Sequence, residues 1–186
     1  MRIISGKFKG SQIKFLKNLS TRPLKDSVKE NIFNILLHSN NFKIKISQAN
    51  VLDLYSGIGS FGLECISRGA KNVTFIERDI NAVKILKQNL SRLSILNNVL
   101  VIKNEVQSTL SNLNKKKYNI FFFDPPFKDL EFYNNLQFIK LNELYDTNHI
   151  VIIHRENKAN ENFEKYFHVI LEKKYGRSKI VFGNFN

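Results

Sequence analysis

Cysteine is almost missing from this chain: Cys65 stands alone among 186 residues. An internal disulfide is excluded, and a reducing cytoplasm is the compartment that suits such a sequence. Long apolar runs are missing as well. No stretch approaches the roughly 20 residues that cross a bilayer, and the opening MRIISGKFKGSQIKF alternates apolar and polar positions where a secretory signal needs an apolar core. A soluble protein with no membrane association is expected. The four histidines, His38, His149, His154 and His168, are scattered and have only Cys65 for company, so no metal site is expected. Acidic residues are scarce, 16 against 29 basic, for a formal net charge of +13. That excess points to a polyanionic partner. Lysine, asparagine and isoleucine crowd the chain, as AT-rich coding also makes them do, so distribution is the better witness. Residues 1–29 hold eight basic side chains against Asp26 alone. Lys7, Lys9, Arg22, Lys25 and Lys29 are therefore candidate phosphate contacts on a basic N-terminal surface.

What is present is the composition of a globular domain, 42% hydrophobic and 24% charged. The length suits one α/β domain with an extension. Residues 2–15 alternate and carry Gly6 and Gly10, which predicts a short β-hairpin. Ser27-x-x-Glu30 reads as a capping box starting a helix whose apolar face is Val28, Ile32, Ile35 and Leu36. We divide the chain into a basic extension, 1–42, packed on a catalytic domain, 43–186. From Val51 the patterns alternate: strand 51–55, helix 61–68, strand 72–77, helix 80–93 capped by Asp79, strand 99–103, a weak helix near 106–114, strand 118–123, a helix around 129–145 and a strand at 150–153. This is the grammar of a mostly parallel sheet with helices on both faces. Two last strands, joined through Tyr175-Gly176-Arg177, predict an antiparallel ending.

Two stretches carry chemistry. In VLDLYSGIGSFG, residues 51–62, Gly57, Gly59 and Gly62 match G-x-G-x-x-G between a strand and a helix, and Glu77 follows Gly57 by 20 residues. Asp53 before that turn would repel a pyrophosphate but attract the ammonium and sulfonium of S-adenosylmethionine. A methyl donor is thus favoured over a dinucleotide. The alternative for Asp53 is a turn residue bonding its own backbone. In IFFFDPPF, residues 120–127, two prolines stop an apolar strand and stiffen Asp124, Pro125, Pro126 and Phe127 into a rigid set. A carboxylate and a carbonyl there can accept the two N–H bonds of an exocyclic base amine while the Phe127 ring stacks on the base. The base must be unstacked to arrive. The plainer reading of that stretch is a strand terminator with a core aromatic. Cys65, in the helix after the glycine turn, reads as a small buried hydrophobe.

Taken together, RIISGKFKG, Arg22-Pro23 leading into VKENIFNIL, DLYSGIGSFGLE, FIERD, FFFDPPF and YGRSKIVFGNF resemble the bacterial small-subunit ribosomal RNA guanine-N2 methyltransferases of the RsmD type, nearly end to end. The resemblance implies a Rossmann-like class I methyltransferase fold: α/β, a mostly parallel seven-stranded sheet with an antiparallel C-terminal strand. It implies S-adenosylmethionine as donor, no metal, and a guanine of 16S ribosomal RNA, free or in an assembling small subunit, as acceptor, with the enzyme a cytoplasmic monomer. By position, Asp53, Gly57 and Gly59 would line the methionine moiety and Glu77 would bind the ribose, with Tyr55, Arg78 and Glu105 in the same donor set. Asp124, Pro125, Pro126 and Phe127 would hold the base. Two positions depart from the family pattern. Asn104-Glu105 stands where an Asp is usual near the adenine amine, and His154-Arg155 where a Glu is frequent; His154 is given no role. An adenine-N6 methyltransferase, a donor-free nucleic-acid-binding module and a dinucleotide oxidoreductase are the alternatives.

Overall fold

Apolar runs too short to be helices become the inner strands of a sheet. The computed structural model describes residues 1–15, 24–42, 44–95, 97–113 and 116–185. The chain runs α1 (Asp26–His38), β1 (Asn50–Leu54), α2 (Ser60–Ser67), β2 (Asn72–Glu77), α3 (Ile80–Arg92), β3 (Val99–Lys103), α4 (Val106–Leu110), β4 (Tyr118–Phe123), α5 (Phe132–Leu141), β5 (Tyr145–Glu156), β6 (His168–Tyr175) and β7 (Ser178–Asn184). The strands form one seven-stranded sheet in the order β3-β2-β1-β4-β5-β7-β6. The first five pair in parallel, and β7 runs antiparallel to both β5 and β6.

Successive strand residues face opposite sides of a sheet, which is why β1 and β4 are apolar almost throughout: both of their faces are covered. Val51, Ile120, Phe122, Ile150 and Ile152 pack with side chains of α1, α2 and α3. Leu52, Leu54, Phe121, Phe123, Val151 and Ile153 pack on the other face with α4 and α5. In the first core Phe61 stacks on Phe122 at 4.1 Å between ring centroids. Cys65 is fully buried there, and burial pushes its thiol well above the usual range. From β1 the chain winds out to β3 and then returns to β4, so the strand order reverses between β1 and β4. Side chains at the carboxyl ends of the strands flanking that point face a shared crevice.

Some expectations need correcting. Helix α1 begins at Asp26, one residue before the expected cap, and the side chain of its N-cap, Lys25, makes no capping hydrogen bond. Asp26 is turned instead to Arg2 N–H at 3.2 Å and lies 3.6 Å from Lys29 Nζ. The N-terminal hairpin forms but is short: one antiparallel bridge, Arg2 with Gln12, closed by Ile3 N–H on the Ser11 carbonyl at 2.9 Å and Ile13 N–H on the Met1 carbonyl at 3.1 Å. Other backbone donors of this segment turn to α2: Ile4 and Ser5 N–H to the Glu64 carboxylate at 2.7 and 2.9 Å, Lys7 N–H to the Ser67 carbonyl at 2.7 Å, and Phe8 N–H to Ser67 Oγ at 2.9 Å. Lys29 is not a surface charge. Its side chain is 0% exposed, with Nζ donating to the Arg2 carbonyl at 2.7 Å and lying 3.7 Å from the equally buried Glu64. Burial lowers its pKa against the opposing pull of Glu64 and Asp26, and it cannot reach an RNA phosphate. The helix expected around 129–145 is confined to α5, because Tyr145 already pairs with Tyr118 in the sheet.

Glu64→Ala would strand the Lys29 charge and two backbone N–H groups in the core. A loss of about 3 kcal/mol or more in urea unfolding is expected; a loss under about 1 kcal/mol would show that Lys29 is held by its other partners.

Candidate active site

The turn after β1 bends back on itself through residues with left-handed backbone. Tyr55 has φ of 58°, unusual for a non-glycine residue, Gly57 has 54° and Gly59 has 82°. A Cβ on Gly59 would come within 2.4 Å of a Leu86 methyl, and one on Gly62 within 2.3 Å of the Phe75 ring. The glycines thus let α2 start hard against β2 and α3 and leave the strand ends open. Pairing of Leu54 with Ile76 and with Phe123 brings the next residues, Tyr55, Glu77 and Asp124, to one edge of the sheet.

A crevice of ≈ 570 Å³ opens at that edge, within the range that holds a nucleoside-sized ligand. Asp53, Tyr55, Gly57, Glu77, Arg78 and Glu105 line it, and so do Asp124, Pro125, Pro126 and Phe127. Gly59 does not reach the lining and acts behind it as the N-cap of α2. Asp53 is buried: Oδ2 accepts from Gly62 N–H at 2.9 Å, while Oδ1 has no partner among the described residues. Burial raises its pKa well above the usual carboxylate range, the Gly62 hydrogen bond opposes this, and the neighbouring Asp124 and Glu77 charges add to it. A sealed carboxylate oxygen beside two further carboxylates is a place for a cationic group, so the crevice fits the ammonium and sulfonium of S-adenosylmethionine.

Glu77 is held rigid by Gly57 N–H on one oxygen and Asp79 N–H on the other, both at 2.8 Å. Each oxygen keeps a second lone pair. Arg78 and Glu105 form an exposed pair at 3.2 Å on the rim, and Asn104, also in the lining, accepts from Glu105 N–H at 2.9 Å. The Tyr55 hydroxyl accepts from Asn135 at 2.8 Å, and burial pushes its pKa up.

The basic residues do not form one cluster. Lys7 and Lys9 are exposed on the loop tied to Ser67, at the end of α2 that lies about 10 Å from its crevice end at 1.5 Å per residue. Lys25 is exposed beside Leu24, which lines the crevice. Lys29 is buried, as above, and Arg22 lies outside the described residues.

Other residues in or under the crevice were not singled out by sequence reasoning. Phe15 and Leu24 lend it an N-terminal wall, placed by Asn89, which brackets Lys14 through both its N–H and its carbonyl, at 2.9 and 3.1 Å. No local pattern marks them. His154 lines the crevice with Nδ1 2.8 Å from Asp124 Oδ1; the strand-end rule that singled out Asp53, Glu77 and Asp124 would have found it. Arg155 reaches under the turn after β4 and donates to the carbonyls of Pro126 at 3.0 Å and Phe127 at 2.9 Å, with Nε on Glu161 at 2.6 Å.

Because the folded-state pKa of Asp53 is raised, its contribution to stability is full below the unfolded value of about 3.9 and is lost as pH rises through the folded value. Asp53→Asn keeps an acceptor for Gly62 and removes the charge. At pH 7 it is expected to raise the melting temperature of the ligand-free protein by about 2 °C or more, with the gain shrinking toward pH 4 in calorimetric scans.

The model of the family described as conserved hypothetical protein 95 matches residues 1–184. Ribosomal RNA small subunit methyltransferase D of Buchnera aphidicola subsp. Baizongia pistaciae is 34% identical over 180 residues, which are 97% of this chain and 88% of that protein. Among solved structures, the putative methyltransferase yhhF from Escherichia coli superposes with a TM-score of 0.82 at 27% identity, covering 100% of this chain and 98% of its own. SMU.776, a putative methyltransferase complexed with SAH, shares the fold at a TM-score of 0.68 and 13% identity, covering 84% of this chain and 49% of its own. The extended match, the seven-stranded sheet with its reversed last strand and the cation-seeking crevice agree, and the chain belongs to the conserved hypothetical protein 95 family, that of the RsmD-type methyltransferases that depend on S-adenosylmethionine.

Proposed function

We propose that this protein methylates the exocyclic N2 amine of a guanine in small-subunit ribosomal RNA, acting as a monomer in the cytoplasm. The observation that carries this reading is the position of Asp124: its partly buried carboxylate stands at the end of β4, in the same crevice as Asp53 and Glu77 and beside Phe127. The relatives' activity on small-subunit ribosomal RNA supplies the acceptor class.

In this reading Asp53, with Tyr55 and Gly57, faces the methionine end of the donor, its negative charge drawing the ammonium and sulfonium, and Gly59 supports that wall from behind. Glu77 takes the ribose hydroxyls, while Arg78 and the Asn104–Glu105 pair border the adenine. When bound, S-adenosylmethionine supplies a methyl carbon activated by its sulfonium. The chain's own work is on the base. An exocyclic amine has its lone pair delocalised into the ring; Asp124 and the Pro125 carbonyl, accepting its two N–H bonds, favour the pyramidal form that frees the pair. Phe127 stacks on the flipped base. Transfer leaves one proton in excess on the amine, and Asp124, already accepting from that N–H, takes it. A hydrogen bond to a charged acceptor is worth roughly 1.5–3 kcal/mol, whereas fixing two reactants in line removes roughly 7–11 kcal/mol of barrier. Positioning therefore dominates. Residues 1–42 serve as an extension to the catalytic domain 43–186, with Lys7, Lys9 and Lys25 as its phosphate contacts.

The test is purified protein with labelled donor on small-subunit ribosomal RNA and on duplex DNA. Label on guanine N2 of the RNA is expected; label on adenine N6 would transfer the same corner to the rival chemistry. Asp124→Ala should lower kcat on the order of 100-fold while donor affinity by calorimetry changes less than about threefold, and equal losses in both would contradict its assigned place. Replacing Lys7, Lys9 and Lys25 together by Glu should weaken RNA binding and flatten its salt dependence with donor binding spared.

A further inference from the structure

The carboxylate at the end of β4 does not stand alone. Phe123 pairs with Ile153, so the next residues, Asp124 and His154, leave adjacent strands side by side. Alternation along β5 then turns His154 toward the crevice and sends Arg155 beneath the turn. The His154 ring is 7% exposed against 24% for Asp124, and it meets the Phe127 ring edge to face at 5.8 Å and 80°. One buried imidazole therefore touches both the acid and the aromatic ring of the corner.

We propose that His154 is the positioning residue of this corner: it donates its Nδ1–H to Asp124 Oδ1, so that Oδ2 is the oxygen left for the substrate amine, and it backs the Phe127 ring that stacks on the base. This rests on Asp124 being the acceptor for that amine. A carboxylate only accepts, so the hydrogen in the 2.8 Å contact belongs to the imidazole. A neutral ring has a single N–H, and with that spent on Asp124 its other nitrogen is a bare lone pair. His154 Nε2 is indeed buried without a partner among the described residues. Sealed in this way, Nε2 has no contact with substrate, and His154 acts through Asp124. Without the imidazole, the Asp124 carboxylate is free to turn about its side-chain bonds. Misplacement of about 1 Å at a reacting centre costs on the order of 100-fold in rate.

Two substitutions separate the hydrogen bond from mere packing. His154→Phe keeps a ring and removes the donor; His154→Asn puts an amide N–H where Nδ1 stood. His154→Phe should lower kcat roughly tenfold or more, with KM for RNA within about threefold and donor affinity within about twofold of the parent protein. His154→Asn should recover kcat to within about threefold. Nitrogen-15 NMR of the parent should show His154 protonated at Nδ1 and bare at Nε2, with the Nδ1 resonance displaced in Asp124→Ala. An unchanged kcat in His154→Phe, equal impairment in both variants, or an Nε2-protonated ring would overturn the proposal. If His154→Phe fails to bind donor, the asparagine variant and the NMR assignment decide. An active Asp124→Ala would sink the reading of the base corner itself, whereas an inactive Asp124→Ala with a fully active His154→Phe would remove only the role of His154.

Discussion

Most of this structure serves to hold three carboxylates at one end of a sheet where their own repulsion would scatter them. Asp53 is buried with one oxygen unpartnered among the described residues, Glu77 is pinned by two backbone N–H groups, and Asp124 shares the crevice with them. The reversal of strand order at β1 and β4 gathers them, and glycine at 59 and 62 brings α2 close enough for its backbone to answer Asp53. The energetic debt of that arrangement is carried by two well-packed cores, one on each face of the sheet. A ligand with a positive charge at the right depth relieves the repulsion, so binding affinity and ligand-free instability have the same origin.

A second buried charge network does purely structural work. Glu64, in the middle of α2, accepts from Ile4, Ser5 and Arg68 and faces Lys29. It fixes the N-terminal segment and α1 to the helix whose start borders the crevice. Together with Asn89, which holds Lys14, it sets Phe15 and Leu24 at the crevice wall. The N-terminal residues therefore shape the site as well as carrying positive charge.

Much of this was legible in the sequence, and the misses have a common cause. Strands 72–77, 99–103 and 118–123 match their predicted spans because each is an apolar run closed by turn residues, and the Asp79 cap is made as expected, to Ala82 N–H at 2.7 Å. The failures are non-local. Lys29 looked solvated because its counter-charge, Glu64, lies 35 residues away, although Phe33 and Leu36 share its buried helical face. The hairpin is as short as it is because Ser5, Lys7 and Phe8 N–H beyond its single bridge turn to α2. His154 and Arg155 were passed over because their partners belong to the turn after another strand.

The most direct test of the account is the identity of the modified nucleotide. Small-subunit ribosomal RNA from cells with and without this protein, digested and mapped by mass spectrometry, should differ by one N2-methylguanine, restored by the intact chain and not by the Asp124→Ala variant. Identical methylation in the two samples, or a lost methyl group on any atom other than guanine N2, would contradict it.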